Sequence, residues 1–163
     1  MNFFIAFYIV LIYYTECILY LLLMSTTKTN YALNNALGHL KEMVKNYEIG
    51  SYIEQLNVTT QEQEEKLEEI RESILNSALS VEFRSGWYSS LYDRVRIGEP
   101  AEFKILLTWG GPALMVIGEL DNYSPVNPKL QYQDWGTPWT DLEITDSQQD
   151  ALNWFCNCFY FGG

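Results

Sequence analysis

Phe103–Trp109 reads FKILLTW and Leu114–Leu120 reads LMVIGEL, with Gly110, Gly111 and Pro112 between them. Two runs rich in aliphatic and aromatic residues around a Gly-Gly-Pro break describe an antiparallel hairpin. The break lacks the GxxxxGK(S/T) spacing of a phosphate loop, and no helix start follows it, so it reads as a turn. Upstream, Val81-Glu82-Phe83-Arg84 alternates before Gly86. Downstream, Asp121–Pro128 is rich in Pro, Asn and Ser and reads as a turn region, after which Lys129–Asp134 (KLQYQD) alternates again. The pattern is a three- to four-stranded antiparallel meander.

Helices flank it. Asn30 is placed to cap a helix whose apolar residues Leu33, Leu37, Leu40, Val44 and Tyr47 recur at spacings of one α-helical stripe, with Gly50 as its left-handed terminator. A second helix starts at Thr60, where Gln63 completes a capping box, and buries Leu67, Ile70, Ile74 and Ala78. Asp146 and Gln149 form a similar box before ALNWFCNCFYF, a short apolar helix running to Gly162. Two amphipathic helices, a meander and a C-terminal helix make an α+β domain with helices over one face of the sheet.

The chain has 163 residues, 48% of them hydrophobic and 19% charged, so it holds a core and one domain is the expectation. Ten Lys and Arg against 21 Asp and Glu leave a net charge of −11. That balance argues against direct nucleic-acid binding, which needs a basic surface.

Met1–Leu23 (MNFFIAFYIVLIYYTECILYLLL) is a different kind of sequence, with no Lys or Arg and one acid, Glu16. Its length suits a transmembrane anchor, and Lys28 on its flank would then leave the rest cytoplasmic. It lacks the basic start and small-residue cleavage site of a signal peptide. A third reading is an over-extended start, with the chain beginning at Met24. In each case the α+β domain occupies 24–163, and a membrane is a partner only if residues 1–23 are genuine.

Arg84-Ser85-Gly86-Trp87, Glu102–Leu107, Gly110–Ala113, Gly118–Leu120, Leu130–Trp135, Thr137–Thr140 and Phe159–Gly162, taken in order, resemble a family of small uncharacterised proteins carried by phages, plasmids and other mobile elements. The resemblance runs from about Tyr31 to Gly163, and QDWGTPWT is its most distinctive string. It implies a mobile-element accessory protein working in a bacterial cytoplasm. It also implies a start at Met24, because an apolar leader is not expected in that group.

The residues themselves point to binding rather than chemistry. Gln133–Trp139 (QDWGTPW) joins an acid, two indoles, a glycine and a proline after a strand. Such a loop is rigid and presents aromatic anchors, so Trp135, Trp139, Asp134 and Thr137, with Trp87 nearby in type, are protein-binding candidates. The competing reading is a structural turn in which Asp134 or Thr137 satisfies backbone amides. Glu62, Glu64, Glu65, Glu68, Glu69 and Glu72 cover nearly half the circumference of the second helix. They read either as a solvated face or as an acidic ridge imitating a phosphate row, with Glu65, Glu69 and Glu72 at its centre.

No catalytic residue stands out. His39 is the one histidine and has no second histidine for a metal site or nearby nucleophile to activate. Cys156 and Cys158 are spaced as C-x-C and read as buried free thiols rather than a disulfide or metal pair. An enzyme built around Arg84, Glu119 and Asp134 is the weakest expectation. No cofactor or metal is implied, and the expected partner is a host or mobile-element protein in the cytoplasm.

Overall fold

A computed structural model describes residues 31–85 and 99–162. Within them the order is helix α1 across 31–54, α2 (Gln61–Ser77), β1 (Ser80–Ser85), β2 (Pro100–Thr108), β3 (Ala113–Asp121), β4 (Ser124–Gln133), β5 (Thr140–Asp141) and α3 (Asp146–Cys156). The fold is α+β, with a five-stranded antiparallel sheet in the order β1-β2-β3-β4-β5.

One face of the sheet carries the core. Phe103, Ile105 and Leu107 of β2, Leu114 and Val116 of β3 and Leu130 of β4 pack against Ala36, Leu40 and Met43 of α1, Ile70 and Ile74 of α2, and Leu152 and Phe155 of α3. The helical half therefore packs on the sheet. The alternate residues, among them Glu82, Lys104, Leu106, Met115, Ile117, Lys129 and Gln131, share the opposite face by register.

Several boundaries differ from those expected. The Asp121–Pro128 segment is not a loop: only Asn122 and Tyr123 turn, both at positive φ (48° and 64°), and the chain re-enters the sheet at Ser124. Two left-handed residues make the tight hairpin turn whose twist matches the strands. Prolines 125 and 128 are tolerated because this half of β4 has no described strand on its outer side. The fifth strand is two residues long, tied by the Leu142 amide to the Leu130 carbonyl (2.8 Å) and by Gln131 and Lys129 to Asp141. The Gln131 amide, with Lys129 beside it, holds the Asp141 carboxyl below its usual range.

In α1 the buried stripe is Ala32, Ala36, Leu40, Met43 and Ile53, turned by roughly 65–85° from the leucine-weighted stripe and sharing Leu40 with it, and Leu37 is exposed. Small alanines let the backbone approach the core, so of the leucine stripe Leu40 is in the core and Leu37 is not. Gly50 does not end α1. It is helical and buried, because the Trp154 indole lies where its side chain would be. Trp154 Nε1 donates to Glu54 Oε2 (3.0 Å) and Arg71 Nη2 donates to Glu54 Oε1 (2.7 Å), so one carboxylate joins all three helices. The Asn30 cap lies outside the described residues.

The box at Thr60 and Gln63 forms as expected. That of α3 is one residue earlier than expected, on Thr145 and Gln148, which leaves Asp146 in the first turn near the helix's positive end. The helix also stops at Cys156 rather than Gly162. The chain beyond it turns back, and Phe159 and Phe161 enter the core.

Candidate functional site

The loop after β4 is built by its own side chains. The Thr137 amide donates to the Asp134 carbonyl (3.1 Å) and the Thr137 hydroxyl to the same oxygen (2.9 Å). The Asp134 amide donates back to Thr137 Oγ1 (3.1 Å), and the Trp135 amide donates to Asp134 Oδ1 (2.8 Å). Gln133 Nε2 reaches the Thr137 carbonyl (2.5 Å). Asp134 is the buried acid of the site, and both it and Thr137 act on the turn's backbone, as the structural reading required. They are the frame; the indoles are what the frame presents.

Trp135 is 68% exposed, with its ring edge over Gly111 of the β2–β3 turn, where any side chain would overlap it. The Gly-Gly-Pro turn and the QDWGTPW loop, 20 residues apart in sequence, thus meet at one end of the sheet. Trp139 joins them from the open face. Together with Trp109, Leu106, Met115, Glu82 and Lys104 it lines a shallow groove of about 500 Å³.

Trp109 is the site residue that strand periodicity misplaces. Alternation puts it beside Phe103, Ile105 and Leu107 on the core face. A one-residue bulge between Leu106 and Thr108 reverses the parity, and Trp109 emerges on the open face, 75% exposed. Three tryptophans, 109, 135 and 139, therefore gather at one end of the sheet. The fifth-strand turn brings Trp139 back toward β2, which neither composition nor spacing signals.

The acidic ridge is elsewhere. Glu65, Glu69 and Glu72 are exposed, with Ile70 and Ile74 of the same helix in the core, so the ridge lies on the outer side of the helix layer. The tryptophan groove is on the other face of the sheet. Lys66 pairs with Glu69 (2.9 Å), and Arg71 is turned to Glu54 instead.

The acid–base set does not assemble. Glu119 lies by the Glu102 end of β3, whereas Asp134 follows Gln133, which pairs with Ala113 at the other end. Six residues of strand separate them, roughly 20 Å. Arg84 is bound to Glu102 (Nε to Oε2, 2.6 Å). A groove of about 610 Å³ does run past Arg84, Glu102, Lys104, Gly118, Glu119 and Lys129. Among the described residues, no group of three His, Cys, Asp or Glu side chains is arranged to hold a metal. Trp87 lies outside the described residues.

His39 is half-buried, and desolvation lowers its pKa. Cys156 is buried, but Cys158 is half-exposed and lies past the end of α3. Burial pushes the Cys156 thiol far up, and Cys158 up to about 11. Both are then protonated near pH 7, where only the thiolate attacks. In native protein at neutral pH, peptides carrying the two cysteines are expected to stay largely unlabelled by iodoacetamide, and to label quickly in denaturant. Rapid native labelling at Cys158, read by mass spectrometry, would contradict that.

Compared with protein-family models, curated proteins and solved structures, the chain matches none.

Proposed function

We propose that this protein is a non-enzymatic, acidic protein-binding module whose contact surface is the tryptophan end of the sheet. The observation that carries it is the exposure of Trp109 and Trp135, at 75% and 68%, on turns fixed by hydrogen bonds and a bulge. Folding gains little from an indole left in water, whereas indoles held rigid bury a large area on a partner at small entropic cost. The resemblance to mobile-element proteins makes a host or mobile-element protein in a bacterial cytoplasm the partner within this proposal.

Trp135→Ala with Trp139→Ala is expected to abolish capture of that partner from a host lysate. Interface anchors of this kind contribute about 2 kcal/mol or more each. The frame of Asp134, Thr137 and backbone amides survives the substitution, so thermal unfolding remains cooperative. Undiminished capture by the folded double variant would end the proposal.

A variant of the reading uses the glutamates of α2, all exposed, as a nucleic-acid mimic. Capture would then weaken steeply with salt and vanish on changing Glu65, Glu69 and Glu72 to Lys. Salt-insensitive capture would assign the contact to the tryptophans alone.

The other alternative is a membrane anchor at residues 1–23. Those residues lie outside the described ones, and among the described residues no helix is long and apolar enough to cross a membrane. Fractionation with N-terminal mass spectrometry decides it.

A further inference from the structure

Strand β1 stands at the end of the described sheet, paired to β2 on one side only. Its side chains are unusual for such an edge. Leu79 just before it, and Val81 and Phe83 within it, are 62%, 37% and 52% exposed, although Val81 and Phe83 lie opposite the buried Ile105 and Phe103 on the core face. On the open face, Glu82 and Arg84 carry opposite charges two residues apart. An edge with exposed apolar side chains and, among the described residues, no second strand partner is a template for another strand.

We propose that β1 pairs antiparallel with β1 of a second copy of this chain, about a two-fold axis through Phe83, to form one continuous sheet. The charges select both the partner and the register. About Phe83, Glu82 of each copy stands opposite Arg84 of the other. Centring one residue earlier sets Glu82 against Glu82, and one later sets Arg84 against Arg84, and like charges directly opposite are destabilising. Inside each chain Glu82 already pairs with Lys104 (2.9 Å) and Arg84 with Glu102 (Nε to Oε2, 2.6 Å). The row across the joined sheets therefore runs Lys104, Glu82, Arg84, Glu102, alternating in sign throughout. On the other face the same register stacks Phe83 on Phe83 and covers the apolar edge that each copy leaves in water.

This assembly does not rest on the tryptophan-end reading, although Glu82 also lines that groove, and it is tested on the full chain by sedimentation equilibrium. The wild type is expected to dimerise with concentration. Glu82→Lys alone and Arg84→Glu alone should each shift it to monomer. The combined E82K/R84E should restore the dimer, since every intermolecular pair is again opposite. A purely intramolecular role predicts the reverse, because the combined variant breaks both in-chain pairs. Phe83→Cys should also form an intermolecular disulfide on mild oxidation, since residues facing each other in such a ladder have Cα atoms about 4.5–5.5 Å apart, within disulfide reach. A wild type that stays monomeric, single variants that still dimerise, or a Phe83→Cys variant that forms no intermolecular disulfide would each overturn the proposal.

Discussion

A chain ending at Cys158 is expected to show no cooperative thermal transition. Residues 159–162 have no regular structure, yet Phe159 is 9% and Phe161 2% exposed. The ring of Phe161 lies 4.8 Å from that of Phe103, and Phe159 lies 5.3 Å from Phe155, so the tail closes the core between the sheet and α3. Removing a buried phenylalanine costs about 3–5 kcal/mol, and two approach the whole stability of an ordinary domain, about 5–15 kcal/mol. Phe161→Ala alone should keep the fold and lose about 3–5 kcal/mol in urea unfolding. Trp109→Ala, at an exposed ring, should change stability by no more than about 0.5 kcal/mol. Cooperative melting of the shortened chain near the wild-type temperature would show that the tail is not part of the core.

The tail also marks where sequence reading stops. FCNCFYF looks like one apolar helix because periodicity cannot show where a helix ends without Gly or Pro to mark it. What ends α3 is tertiary: Phe159 and Phe161 pack better in the core than on a continued helix. The α+β class, the β2–β3 hairpin and the Thr60 box were legible because each rests on a local rule. The β3–β4 hairpin was not. Its turn is Asn122-Tyr123 rather than Asn-Gly, and a tyrosine at positive φ carries no turn signal. Nor does a two-residue strand such as β5 have a period to read.

For the site, the loop was visible as composition, while its surroundings were not. Asp134 and Thr137 fall within hydrogen-bonding reach of their own backbone, so their role as a frame follows from short-range geometry. The meeting of Trp135 with Gly111, and the turning of Trp109 to the open face, depend on register. A single bulge decides which face a side chain takes, and no residue in Leu107-Thr108-Trp109 announces one. Glu119 and Asp134 fail as a pair for the same reason: adjacency of strands says nothing about position along them.

Gly118→Ala is expected to be the most damaging single-methyl change in the sheet. Gly118 stands opposite Phe103 in the β2–β3 register. A Cβ there would lie 2.5 Å from Phe103 Cε1, 2.7 Å from its Cζ and 3.0 Å from the Val126 carbonyl oxygen. The backbone of Gly118 is ordinary, so the constraint is space. Phe103 covers the glycine in the way aromatic rings cover glycine in twisted sheets. Its ring is also held against that of Phe161, with centroids 4.8 Å apart and planes tilted by 46°. On the other side the obstacle is backbone, at the bulge where Asn127 takes positive φ (51°). Overpacking of this kind costs about 1–3 kcal/mol and occasionally more. The midpoint of unfolding should fall accordingly. Combining Gly118→Ala with Phe103→Leu should cost less than the two changes summed, because the leucine vacates the space the methyl needs. Additive losses would mean that Phe103 is not what excludes a side chain at 118, and that the β4 backbone alone sets the limit.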